Sequence, residues 1–123
     1  MPPLHRSKNE YEASRMKKHN VQFDRDAEDD MFDIYSYVAL NDSIQQADRL
    51  FEALTRACYS LRTLPLRGRI PPELQDIGVS QFREIRFKPY RIFYSIDHAT
   101  VTVHCVLDGR RDMQTLLQER LLR

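Results

Sequence analysis

Apolar and polar residues alternate along this chain with a period that changes from helical to extended near its middle. Asn20-Val21-Gln22-Phe23 alternates singly, which predicts a short strand. Ala27, Met31, Ile34 and Val38 then recur at the spacing of one helical face, behind an acidic first turn (Asp24, Asp26, Glu28, Asp29, Asp30) that complements the helix dipole. Asn41-Asp42-Ser43 interrupts that helix, and Asp42 with Gln45 has the form of a capping box opening a second one. Ile44, Ala47, Phe51, Leu54, Cys58 and Leu61 follow in alternating steps of three and four, so the two helices are expected to form a shallow-angled antiparallel hairpin. Pro65 ends the second helix, and residues 66–72 read as an irregular connector.

Beyond the connector the period is two. Glu84 to Phe87, Tyr90 to Ile96 and Thr100 to Leu107, separated by Lys88-Pro89 and Asp97-His98-Ala99, predict a three-stranded antiparallel meander. Strict alternation puts Ile85, Phe87, Ile92, Tyr94, Ile96, Val101, Val103 and Cys105 on one face, apolar enough to lie on the hairpin. Glu84, Arg86, Arg91, Phe93, Thr102 and His104 share the other, which is polar, basic and aromatic and has only the terminal segment to cover it. Asp108-Gly109 closes the sheet. Asp112 can cap a short amphipathic helix carrying Met113, Leu116, Leu117, Leu121 and Leu122, which is too short to persist undocked. The fold class is therefore α+β: an N-terminal strand, an antiparallel two-helix hairpin packed on a small antiparallel sheet, and a short C-terminal helix.

Length and composition narrow this further. A chain of 123 residues, 41% hydrophobic and 30% charged, supports one core, expected over 20–123, with residues 1–19 as a flexible extension. No apolar run approaches the roughly 20 residues of a membrane span, which predicts a cytoplasmic protein with no membrane partner. Cys58 and Cys105 occupy apolar positions of periodic segments without metal-ligand spacing, so both read as reduced core residues. No metal or cofactor is expected. The net charge of +1 hides an asymmetry: residues 20–64 carry four arginines against nine acids, and residues 65–123 ten basic residues against seven acids. The positive field belongs to the C-terminal half.

The order of elements, with "RGRIPPEL", "FREIRF", "YRIFYSI" and "VLDGRRDMQTLLQERL", resembles the RelE/ParE superfamily of toxins from bacterial type II toxin-antitoxin systems over essentially all of residues 20–123. The resemblance implies a cognate antitoxin covering the exposed sheet and hairpin groove, with DNA contact mainly through that antitoxin. It also implies one of two targets. RelE-like members cleave mRNA in the ribosome without a metal, using cations on the open sheet face and a terminal aromatic residue. ParE-like members poison DNA gyrase by protein contact.

For the ribonuclease, in-line attack needs a base, cations for the phosphorane and an acid. The candidates are Glu84, Arg86, Arg91, His104 and Arg111, but Glu84 stands where a second sheet lysine would be and Leu117 where the terminal tyrosine would be. Tyr94 falls by parity on the core face. Arginine stays charged near neutrality, so an arginine cluster lacking a matched base and acid binds anions rather than transferring protons. The ParE-like reading places target or antitoxin contacts at Arg86, Arg91, Phe93, Arg110, Arg111, Asp112, Leu116, Leu117 and Leu121. A non-toxic binding module using the same arginine face is the third reading.

Overall fold

A computed structural model describes residues 18–123. The extension expected over 1–19 lies, for residues 1–17, outside the described residues; the backbone N–H of His19 donates to the carbonyl of Arg62 (2.8 Å). Strand β1 (Asn20–Phe23) is followed by helices α1 (Arg25–Asn41) and α2 (Ile44–Tyr59). Two 3-10 turns and the short helix α3 (Pro72–Gln75) form the connector. Strands β2 (Phe82–Phe87), β3 (Tyr90–Asp97) and β4 (Thr100–Asp108) make the meander, and α4 (Met113–Leu121) ends the chain. The four strands form one mixed sheet in the order β1-β4-β3-β2, with β1 joining parallel to β4. Among the described residues no helix is long and apolar enough to cross a membrane.

The hairpin packs as its periodicity predicts, with two corrections. Ser43, not Asp42, caps α2: its hydroxyl accepts from the Gln46 N–H at 3.0 Å. Asp42 is instead taken up at the end of α1, where its backbone N–H donates to the Val38 carbonyl at 2.8 Å, leaving Ser43 as the first residue free to cap α2. Ala47, Leu54, Cys58 and Leu61 are buried, whereas Ile44 and Phe51 are exposed. The stripe is wider than the seam it fills, and Phe51 turns outward to meet the Tyr35 ring edge-on at 6.1 Å.

Parity fails at one place in the sheet. Phe93 pairs with Cys105 but Tyr94 with Val103, leaving His104 as the extra residue of a β-bulge. One inserted residue reverses the facing of everything beyond it. Cys105, expected beside Val101 and Val103 under the hairpin, therefore joins Phe93 and Leu107 on the opposite face, while Val106 moves to the hairpin side with Ile92.

About half of that opposite face is closed, not open. Met113 and Leu117 of α4, Leu74 of α3 and Phe82 cover Phe93, Cys105 and Leu107 as a second apolar cluster. The sheet is thus packed on both sides, fully by the hairpin and in part by the α3–α4 pair. Asp112 caps α4, accepting from the Thr115 N–H at 3.3 Å. Arg120 clamps its far end to Asp30 of α1 at 2.8 Å. Both cysteines are buried free thiols, each pushed up to about 12 by desolvation, which keeps them protonated and inert.

Leu117 is wholly enclosed. Leu117→Ala should destabilise the fold by about 2–5 kcal/mol in urea unfolding. The half-buried Leu116→Ala should cost clearly less, and equal losses would mean that α4 does not seat as described.

Candidate functional site

The sequence-predicted charges separate into a buried group and an exposed group. At the centre of the buried group is Arg91 on β3, opposite Arg86 in the sheet register. Its Nε and Nη2 donate to the two carboxylate oxygens of Glu84, both at 2.7 Å. Its Nη1 and Nη2 donate to the carboxylate of Glu73, both at 2.8 Å. One guanidinium thus holds two carboxylates by paired, fork-to-fork bonds, which only arginine among the side chains can do. Arg91 and Glu84 are 5% and 2% exposed, so solvent hardly screens the bridge. The Arg91 guanidinium also lies over the Phe93 ring at 5.1 Å.

Each partner arrives by a local rule. Glu84 and Arg91 meet because they lie on the same face of neighbouring antiparallel strands. Glu73 is carried in by α3, which the connector prolines start. The connector is itself tied to the sheet: Arg69 and Glu84 exchange two backbone hydrogen bonds at 2.7 and 3.0 Å, and Tyr94 donates its hydroxyl to the Pro65 carbonyl at 2.6 Å. Gly68 is required at this crossing, since a Cβ there would stand 2.5 Å from the Glu84 carbonyl oxygen. Hydrogen bonds to Glu73, and after them those to Glu84, raise Arg91 above its ordinary value against the effect of burial. Reciprocally, the Arg91 hydrogen bonds hold the Glu73 carboxyl below the usual carboxylate range.

The remaining candidates are scattered. Arg86 is half-exposed, its Nε 3.4 Å from Glu84. His104 sits by Ser95, four residues along β3 from Arg91 and so about 13 Å away. Its ring nitrogens contact Ser95 Oγ and Asp24 Oδ2, each at 2.7 Å. Arg111 lies at the β4–α4 turn, exposed, with no side-chain partner among the described residues. Arg110 folds back on Asp108, whose carboxyl it lowers to about 2. The expected exposed contact face is corrected here: Arg91, Phe93 and Leu117 are enclosed, whereas Arg86, Arg110, Arg111 and Asp112 reach solvent and Leu116 and Leu121 are partly covered. Sequence reasoning missed Glu73. Its only signal was a carboxylate just after a Pro-Pro pair, which gives no hint of a partner on β3.

A separate feature lies on the hairpin. Phe23, Met31, Phe32, Tyr35, Phe51 and Tyr59 line an apolar groove of about 550 Å³, with Glu28 at its rim.

An α+β domain whose sheet is backed by a helical hairpin, with a basic edge and a short C-terminal helix, is the architecture of the RelE/ParE superfamily of toxins. Residues 21–113 match the profile of the ParE toxin of the type II toxin-antitoxin system parDE, and the chain belongs to that family. Among solved structures it is similar to the chromosomal ParDE toxin-antitoxin system of P. aeruginosa, with a TM-score of 0.63 at 13% identity over 73% of this chain and 95% of that one. It is also similar to the toxin-antitoxin complex RelBE2 of Mycobacterium tuberculosis, with a TM-score of 0.55 at 23% identity over 76% and 93%. At these identities the likeness carries the fold. No curated protein matches the sequence.

Two outcomes follow from the buried bridge. Arg91→Ala strands two carboxylates and should cost about 3–5 kcal/mol in chemical denaturation, and Arg91→Lys should also destabilise, because a point charge cannot serve both forks. A loss under about 1 kcal/mol would place the bridge with ordinary surface pairs. Glu73 has a depressed folded pKa, so its contribution is fully present above its unfolded pKa and is lost as pH falls through the folded value. The stability gap between wild type and Glu73→Gln should accordingly be constant near neutrality and shrink on acidification below about pH 4.5. A gap that stays constant through that range would refute the assignment.

Proposed function

We propose that this protein arrests growth by docking on DNA gyrase and trapping it, and that a cognate antitoxin neutralises it. The supporting observation is the bridge. Two of the residues that ribonuclease chemistry would draw on, Glu84 and Arg91, are committed to each other and to Glu73 in a closed site. The Glu84 carboxylate is held by two guanidinium hydrogen bonds, and a guanidinium with four of its five N–H donors committed has at most one left to aim at a phosphorane. His104, with both ring nitrogens engaged, is held well away along β3. Leu117, at the position of the terminal aromatic residue, is core.

A protein contact needs none of this chemistry. It needs an exposed, shaped surface, and the turn bearing Arg110, Arg111 and Asp112 with the outer side of α4, edged by the partly covered Leu116 and Leu121, supplies one. Arginine and leucine side by side there offer a charged anchor within an apolar contact. For the antitoxin, the hairpin groove suits a helical or extended segment with apolar anchors and basic flanks, because α1 is rich in acids along its first turns.

Purified protein added to gyrase should inhibit supercoiling and accumulate cleaved DNA complexes, and Arg111→Ala should weaken this at least about tenfold without changing the melting temperature. Unchanged supercoiling together with cleaved mRNA in a translation reaction would replace this reading with the RelE-like ribonuclease. Normal growth of a naive host on induction would leave only a binding module.

A further inference from the structure

The bulge that takes His104 out of the alternation of β4 also joins its side chain to two others across the sheet. Ser95 on β3, His104 on β4 and Asp24, which links β1 to α1, meet beyond the apolar cluster that α4 covers, where Ser95, Thr102 and His104 are all partly exposed. His104 Nδ1 stands 2.7 Å from Asp24 Oδ2, and Nε2 stands 2.7 Å from Ser95 Oγ. A carboxylate can only accept, so Nδ1 of the neutral ring carries the proton and donates it to Asp24. Nε2 then holds the free lone pair and accepts from the Ser95 hydroxyl. Carboxylate, imidazole and hydroxyl in this order make a serine nucleophilic. Thr102 lies directly opposite Ser95 in the register. Its Oγ1 accepts from Gln22 Nε2 at 3.0 Å, which leaves its own hydroxyl proton to donate. The Phe82 ring stands nearly perpendicular to the His104 imidazole at 5.3 Å and walls the pair on the β2 side.

We propose that Ser95, His104 and Asp24 form an acyl-transfer site that takes small carboxylic esters. Ser95 Oγ attacks the ester carbonyl carbon: the Oγ–C bond forms, the Oγ proton passes to His104 Nε2, and the carbonyl π pair moves onto its oxygen, to which the Thr102 hydroxyl donates. Collapse breaks the bond to the alcohol oxygen, which leaves with the proton from Nε2, and the acyl group stays on Ser95. Water then attacks the acyl carbon and gives a proton to Nε2. The Oγ–C bond breaks, that proton returns to Ser95, and the carboxylic acid departs. Asp24 touches no reacting atom; it is a positioning residue that fixes the tautomer and faces the charge that forms on the ring. One hydroxyl donor and one aromatic wall suit a short acyl group on a good leaving group and make the second half slow, so that acyl-Ser95 accumulates. The site stands at the far end of the sheet from the turn bearing Arg110 and Arg111 and does not depend on the gyrase contact.

The whole protein treated with p-nitrophenyl acetate, and separately with an alkyl fluorophosphonate whose P–F bond breaks as Oγ–P forms, tests this. Nitrophenolate should appear in a burst of about one equivalent followed by slow release, and mass spectrometry should place the acetyl and phosphonyl groups on Ser95. Ser95→Ala should abolish both modifications. His104→Gln leaves Ser95 a hydrogen-bond partner that cannot take its proton, and should slow acylation at least about a hundredfold. Asp24→Asn should slow it as much with the melting temperature unchanged, and should move the His104 15N resonances from the Nδ1–H to the Nε2–H tautomer. Asp24→Glu should restore the tautomer and part of the rate. Modification no faster than that of the urea-unfolded chain, or mapped to residues other than Ser95, overturns the proposal. So does an unchanged rate in His104→Gln or Asp24→Asn, which would make the three side chains a structural link between strands. Gyrase inhibition is read separately, so either claim can fail alone.

Discussion

One guanidinium shared by two carboxylates decides how the rest of this molecule is arranged. Removing charges from water costs several kcal/mol for each ion, and the Glu73–Arg91–Glu84 bridge offsets that only because four short, directed hydrogen bonds are made at once. Meeting that geometry requires the connector to cross back over the sheet, α3 to present Glu73, and β2 and β3 to keep their register. The tight contacts at Gly68 and Tyr94 are the local means of holding the crossing in place. α4 then closes the sheet face next to the bridge, with Gln114 donating to the Glu73 carbonyl at 3.4 Å.

Because the bridge is internal, the chain's positive charge divides by task. Arg91 belongs to the fold. Arg67, Arg69 and Arg86 face solvent on the β2 edge, and Arg110 and Arg111 at the β4–α4 turn, where Arg86 and Arg110 line one concavity. Exposed ion pairs contribute about 0–1 kcal/mol each, so these outer arginines are nearly free, energetically, to serve a partner. The acids gather instead on α1, where Asp30 accepts from both Arg120 and the Val106 N–H and so joins hairpin, bulge and terminal helix. A small domain with one acidic helical flank and one basic sheet edge can carry separate contacts to an antitoxin and to a target.

Much of the architecture was legible in the sequence because it rests on local periodicity. The 3.6-residue spacing of Ala27 and Met31, the α2 stripe through Ala47, Leu54 and Cys58, the three strands and the Asp112 cap all follow from nearest-neighbour rules. What was not legible depends on a single inserted residue or on distant pairing. His104 reads as an ordinary alternating position, yet as a bulge it sends Cys105 and Leu107 to the opposite face. Ser43 and Asp42 are both good caps, and only the path of the link between the helices chooses one. Parity correctly put Glu84, Arg86, Arg91 and Phe93 on one face. It could not say that α3 and α4 would cover half of that face, nor that Glu73 would enter from 18 residues away.

Arg91 is sealed inside a structural bridge and not displayed on a working face. The most direct measurement is hydrogen exchange at the Arg91 Nε–H, followed by 15N-resolved NMR near neutral pH. A closed bridge predicts a distinct, persistent resonance whose exchange is slower than that of solvent-exposed arginines by at least about a hundredfold. Exchange at the rate of Arg111 would show an open guanidinium, and with it a face available for chemistry on RNA.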